Sequence, residues 1–182
     1  MKNTEEIWSL VDAKERPFTQ LSDRVWGMPE LCYGEFRSCA EHTETLERQG
    51  FRVTKDVAGI PTAVVGEAGN GGPVIAILGE YDALPGLSQE AGVADPQPLP
   101  GSGNGHGCGH NLLGSASLLA ATAVKDFLAA HGIKGRVRYY GCPAEEAVPP
   151  RGSWCGPGYF PTWMSRSLGT PPPSPASMNR YR

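Results

Sequence analysis

Arg136-Val137-Arg138-Tyr139-Tyr140-Gly141, running directly into Cys142-Pro143-Ala144-Glu145-Glu146, is the stretch on which the fold turns. It is rich in β-branched and aromatic residues and reads as a short strand. Immediately upstream, residues 112–131 are apolar nearly all round, broken mainly by Lys125 and Asp126 and closed by Gly132. That composition predicts a buried helix with a left-handed glycine at its end. Further back, 62–66 and 73–78 are short apolar runs separated by Gly/Asn turn residues. They predict two adjacent strands, the second buried on both faces. Residues 51–54 alternate like another strand, and helices are expected over 4–14, 18–28 and 36–49, the last capped by Gly50. The order helices, strands, helix, strand predicts an α/β layer architecture.

At 182 residues the chain is long enough for one domain with a core, while 24 glycines and 17 prolines predict many loops. The net charge of −3 offers no basic surplus, which argues against nucleic acid and anionic lipid as partners. No run of about 18 apolar residues suggests a membrane span. The polar start Met1-Lys2-Asn3-Thr4 lacks the apolar stretch of a secretory signal. Five scattered cysteines (32, 39, 108, 142 and 155) read as reduced thiols, so the expected location is cytoplasmic. After Glu146 the character changes: 147–182 is rich in Pro, Gly and Ser without a sustained period, and is expected to be disordered.

The candidate chemistry sits in the loops that follow the strands. Gly105-His106-Gly107-Cys108-Gly109-His110-Asn111 places a thiol and two imidazoles in a glycine-rich turn. Glycine lets such a backbone fold tightly, and thiolate with neutral imidazole suits zinc-class ions. The adjoining helix N-terminus is expected to favour a thiolate at Cys108. The alternative is a loop with incidental polar residues. Glu145 and Glu146 follow the last strand, where open α/β sheets commonly build their sites. On extended backbone they would point to opposite sides, one to bind metal and one to accept a proton. A solvated acidic pair is the plainer account of these two alone. In Gly79-Glu80-Tyr81-Asp82-Ala83-Leu84-Pro85, Asp82 either orients a ligating histidine or is an Asx-turn residue before Pro85.

These three motifs in this order, with Trp26-Gly27-Met28-Pro29-Glu30-Leu31 ahead of them, resemble the zinc metallopeptidase family of aminoacylases, hippurate hydrolases and auxin-conjugate amidohydrolases. Asn111 followed by Leu112-Leu113-Gly114 is similar to the aminobenzoyl-glutamate-hydrolysing branch of that family. The resemblance covers residues 3–146. It implies the front part of a metallopeptidase catalytic domain, with a central mixed sheet flanked by helices. It also implies a divalent metal, zinc or manganese, with two ions in the complete family site. By position, Cys108, His110 and Glu146 would be metal ligands. Glu145 would be the general base that takes a proton from the metal-activated water and passes it to the leaving amine. His106 would support the ligand pair, Cys142 would be a buried thiol, and Cys32, Cys39 and Cys155 have no assigned part. The implied substrates are small N-acyl amino acids or aminobenzoyl-glutamate, and full-length relatives are expected to be homo- or hetero-oligomers.

The chain departs from the family pattern after Glu146. The later ligand histidines and the lid or dimerisation domain of longer relatives are not found, and no histidine follows His131. A one-base slip in the coding sequence after Glu146 would allow residues 162–171 to be re-read as a strand ending in Trp-His-Pro. That is the family's context for its next ligand, and the nucleotide sequence decides the point. Three functions therefore stand: a metal-dependent amide hydrolase, an inactive metal-binding fragment of one, or a cysteine hydrolase using Cys108 and His110. The last leaves Glu145 and Glu146 without a task.

Overall fold

The computed structural model describes residues 2–146, and the expectations for 147–182, including the re-read frame, lie outside the described residues. Three helices lead: α1 (Lys2–Asp12), α2 (Glu15–Trp26) and α3 (Phe36–Arg48). Strands β1 (Arg52–Lys55), β2 (Val64–Asn70) and β3 (Val74–Glu80) follow, then the long helix α4 (His110–Ala130) and strand β4 (Gly135–Cys142). The sheet order is β1-β2-β4-β3. β1 pairs antiparallel with β2 and β2 with β4, whereas β3 and β4 run parallel, so the sheet is mixed.

Helices α2 and α3 are each placed by one buried stripe. Phe18, Leu21, Ser22 and Val25 of α2 are buried at helical spacing. α3 buries Cys39, His42 and Leu46, and its end is turned by Gly50 at φ +80°, which lets Phe51 N–H reach Leu46 O. Leu46, Leu118, Val64, Val137 and Tyr139 meet in one core between the sheet and the helices. Burying a leucine such as Leu118 completely stabilises the fold by roughly 1.5–3 kcal/mol. The alternate residues of β2 and β4 present the other face, where Glu67 accepts from Arg52 and Arg138.

Four expectations fail here, the first three for related reasons. Strands β2 and β3 are not adjacent, because β4 inserts between them. A parallel β3–β4 pair requires a crossover, and α4 supplies it. Strand β3 consequently lies at the edge of the sheet, and it is not buried on both faces: Ile75 is 46% exposed and Leu78 37%. Helix α4 is likewise covered on one face only, with Gly114, Leu118 and Ala121 inward and Leu112 and Leu113 outward. In length and composition α4 is also apolar enough to cross a membrane, contrary to the reading of the sequence. It packs against β3, β4, α1 and α2, with Ser115 and Thr122 hydrogen-bonded back to its own carbonyls.

Candidate metal centre

The parallel pair brings two chain segments to one end of the sheet. β3 ends at Glu80 and β4 at Cys142, which are direct partners in the register. The N-terminal part of α4 packs against this end of the sheet. Gly109, at φ +81°, turns the chain so that His110 is the first residue of the helix. The helix approaches β3 so closely that a Cβ at Gly114 would lie 2.3 Å from Glu80 O. Three motifs far apart in sequence thereby meet around one imidazole.

That imidazole belongs to His110, which is only 3% exposed. Its Nδ1 lies 2.8 Å from Asp82 Oδ1 and 3.1 Å from the Asp82 carbonyl, both acceptors. The hydrogen therefore sits on Nδ1 and the lone pair of a neutral ring on Nε2. Nε2 faces Glu80 Oε2 at 3.3 Å, Glu145 Oε2 at 3.8 Å and Glu146 Oε1 at 3.8 Å. A lone pair and three carboxylates cannot face one another bare. Either a proton or a cation must stand between them. Among the described residues no lysine or arginine forms an ion pair with any of the three, so a bound cation would meet no competing basic side chain.

The donors fall into two overlapping trios. Cys108 Sγ, His110 Nε2 and a Glu146 oxygen lie within 4.8 Å of one another, and so do donors of Glu80, His110 and Glu145. Thiolate, imidazole and carboxylate together form a donor set that zinc-class ions accept. The residues thus fit a divalent cation. Because Nδ1 is held by Asp82, His110 can offer only one nitrogen, and one ion bound there uses it up. A second ion would need donors beyond these trios.

Electrostatics carry the same message. Burial raises the Glu80 carboxyl above its usual range; His110 opposes this, while Glu145, Asp82 and Glu146 add to it. The exposed Cys108 thiol is also raised, chiefly because the Glu146 carboxylate accepts its hydrogen. The helix N-terminus therefore does not lower this thiol, against the expectation from sequence. Glu146, Glu145 and Glu80 all disfavour the thiolate, and a cation would reverse the balance.

The expected divergence of Glu145 and Glu146 also needs correction. Residues 143–146 are not extended: Ala144 has φ +59° and the chain turns, so both carboxylates approach the same nitrogen. They nevertheless separate by company, Glu146 with Cys108 and Glu145 with Glu80. Asp82 does reach the histidine, and its other oxygen accepts from Glu146 N–H at 2.8 Å. His106 instead points away: its Nε2 meets Val25 O at 3.0 Å and its ring lies against Trp26, tying the loop to α2. Cys142 is buried, its thiol pushed up to about 12 by desolvation. Cys32, assigned nothing from sequence, donates to Asp82 Oδ2 at 3.6 Å.

Glu80 is the site residue that sequence reasoning passes over. A signal for it exists: Glu80 and Asp82 are two apart on extended backbone, which puts both side chains on one side. The buried pair Glu35 and His42 is also missed. Both are fully inaccessible to solvent, yet His42 lies on an amphipathic helix, where polar residues are normally read as outward, and Glu35 stands at that helix's N-cap.

No protein-family model matches the chain. One subunit of the p-aminobenzoyl-glutamate hydrolase of Escherichia coli (strain K12) is 49% identical over 146 residues, which cover 78% of this chain and 30% of that protein. The Xaa-Arg dipeptidase of Mus musculus is 31% identical over 148 residues, covering 75% of this chain and 30% of that protein. Among solved structures, a dinuclear metal-binding peptidase of the M20 family from Bacillus subtilis superposes with a TM-score of 0.54 at 28% identity, covering 72% of this chain and 36% of that one. An aminobenzoyl-glutamate utilization protein from Klebsiella pneumoniae has the same fold, with a TM-score of 0.54 at 16% identity over 78% of this chain and 40% of that one. The chain spans about a third of the length of the curated relatives it matches. With the ordered motifs, the mixed sheet and these relatives in agreement, the chain belongs to the M20 family of metallopeptidases and amidohydrolases.

Proposed function

We propose that this chain carries the first metal-ligating half of an amide hydrolase acting on small N-acyl amino acids or aminobenzoyl-glutamate. The observation that carries the reading is the convergence of Cys108 Sγ, His110 Nε2 and a Glu146 oxygen within 4.8 Å, with the imidazole fixed from behind by Asp82. Cys108, His110 and Glu146 would hold the ion, zinc or manganese. When bound, the ion supplies positive charge that polarises an amide carbonyl and acidifies the attacking water. Glu145 is the general base in this reading. Its side chain is half exposed and groups with Glu80 and His110, where it can take a proton from water and return it to the leaving amine. Asp82 keeps the hydrogen on Nδ1, so that Nε2 stays a donor of electrons. The bacterial relative is named as one part of a larger hydrolase, which supports assembly with a further chain. The free thiols among the described residues support a reducing, cytoplasmic setting.

One observation favours a second reading. His110 is the single imidazole at the centre among the described residues, and its one free nitrogen leaves the ion's remaining positions to solvent. The chain would then bind metal without turnover. Metal analysis of the purified chain and of Cys108→Ser tests what the two readings share, since both require bound ion that the substitution weakens. Hydrolysis of a panel of N-acyl amino acids, with and without chelator, separates them. Chelator-resistant activity abolished by iodoacetamide would overturn both in favour of cysteine chemistry.

A further inference from the structure

The segment 29–35, which lies ahead of the three motif loops in sequence, touches all of them in space. Pro29 O accepts from Asn104 Nδ2 at 3.2 Å, beside the Cys-His loop. Glu30 O accepts from Ala83 N–H at 2.8 Å, and Cys32 Sγ reaches Asp82, both in the loop after β3. Glu35 Oε1 accepts from Ala144 N–H at 2.8 Å, in the turn that carries Glu145 and Glu146.

Glu35 is the unusual member. It stands at the N-cap of α3, where a carboxylate would normally receive the first free N–H groups of the helix. Its side chain makes no such bond. Glu30 caps the helix in its place, taking Arg37 N–H at 3.1 Å and Ser38 N–H at 2.8 Å, with Ser38 Oγ at 2.8 Å. Glu35 is thereby released to turn inward, fully buried, to the backbone of Ala144. The buried Thr62 hydroxyl and the backbone N–H groups of Tyr33 and of Glu35 itself also bear on the carboxylate, whose burial still raises it above its usual range. A carboxylate held this deep at such desolvation cost requires a local return. Ala144 needs one too, because a non-glycine residue at φ +59° persists only when its surroundings fix it.

We propose that Glu35 is a positioning residue for the metal centre: its buried carboxylate pins the Ala144 turn and so sets both Glu145 and Glu146 against His110 Nε2. The inference rests on the metal reading above for its consequence, but not for its geometry. Without the Glu35–Ala144 bond the turn relaxes towards ordinary backbone and the two carboxylates lose their separate places. Supporting residues of this kind typically change metal affinity by about 10- to 100-fold.

The test uses the whole chain with Glu35→Ala, Glu35→Leu and Glu35→Gln, read by Zn2+ titration calorimetry and by amide hydrogen exchange. Glu35→Ala and Glu35→Leu are expected to weaken Zn2+ binding by about 10- to 100-fold and to speed exchange at Ala144 while the Val137 amide in β4 keeps its protection. Glu35→Gln retains an acceptor for Ala144 and is expected to stay close to the unsubstituted chain in both. If the unsubstituted chain takes up no Zn2+, the metal reading fails, and exchange at Ala144 alone decides the Glu35 proposal. Unchanged exchange at Ala144 in a folded Ala or Leu variant overturns it. So does loss of protection throughout β4 in both, because Glu35 would then support the fold at large and not the turn. Equal loss of Zn2+ affinity in Glu35→Gln and Glu35→Ala overturns the hydrogen-bond account.

Discussion

Two buried histidines stand on either side of the α4–β3 contact, and they differ in every respect except burial. His110 offers Nδ1 to a carboxylate and aims Nε2 at three more. His42 offers Nδ1 to Tyr139 Oη at 2.9 Å, lies against the rings of Tyr81 and Tyr139, and leaves Nε2 without a partner. The first sits where loops converge, the second where helix and sheet are pressed together. Burial alone therefore marks neither as functional. The groups facing Nε2 distinguish a ligand from a packing residue.

The sharpest way to break this contrast is His110→Ala. It should reduce Zn2+ affinity by more than the ~10- to 100-fold expected from a supporting residue, whereas His42→Gln should leave affinity near that of the unsubstituted chain. Calorimetric titration of both would show at once whether the contrast holds. Asp82→Asn is next: the amide can no longer hold Nδ1–H as a carboxylate does, and a loss of about 10- to 100-fold is expected by the same titration. On the packing side, Tyr139→Phe strips His42 Nδ1 of its partner at a cost of about 1–3 kcal/mol. Urea denaturation of the metal-free chain would measure it, and an unchanged midpoint would mean that the Tyr139–His42 bond contributes nothing.

The burial of His42 also predicts a pH dependence. Desolvation pushes His42 down to about 3 from an ordinary value of 6.5, and the titratable groups facing it are the two tyrosines, both raised well above their usual range by burial. The folded state thus holds His42 neutral, while the unfolded chain binds the proton as pH falls below 6.5. Its contribution to stability is fully present above 6.5 and is lost progressively as the pH descends towards 3. The urea midpoint should fall less over that window in His42→Gln than in the unsubstituted chain. Parallel curves would show that His42 is not held neutral.

Much of this is legible in the sequence because it depends on local order. The strand 136–141 and the motif loops after strands are short-range features, and the α/β class follows from them. Adjacency in the sheet is not legible. Residues 62–66 and 73–78 look like neighbours because a short turn joins them, yet the strand inserted between them comes only after α4. Nothing local announces that. The turn at Ala144 is hidden for a related reason: a positive φ at alanine has no composition signal and is imposed by Glu35, far back in the chain. Glu80 is the exception, since its spacing from Asp82 contains the answer.

The bridge between Leu84 and Gly105 has a consequence for how this chain can vary. The two backbone bonds there, both 3.0 Å, close the neck of the excursion that runs over residues 85–104. Everything needed to aim His110 lies outside that neck. A closed loop of this kind can be lengthened cheaply, since each doubling of its length costs only about 0.6 kcal/mol in closure entropy. The excursion can therefore change in length at small cost in closure entropy, while the neck keeps the flanking motif loops in register.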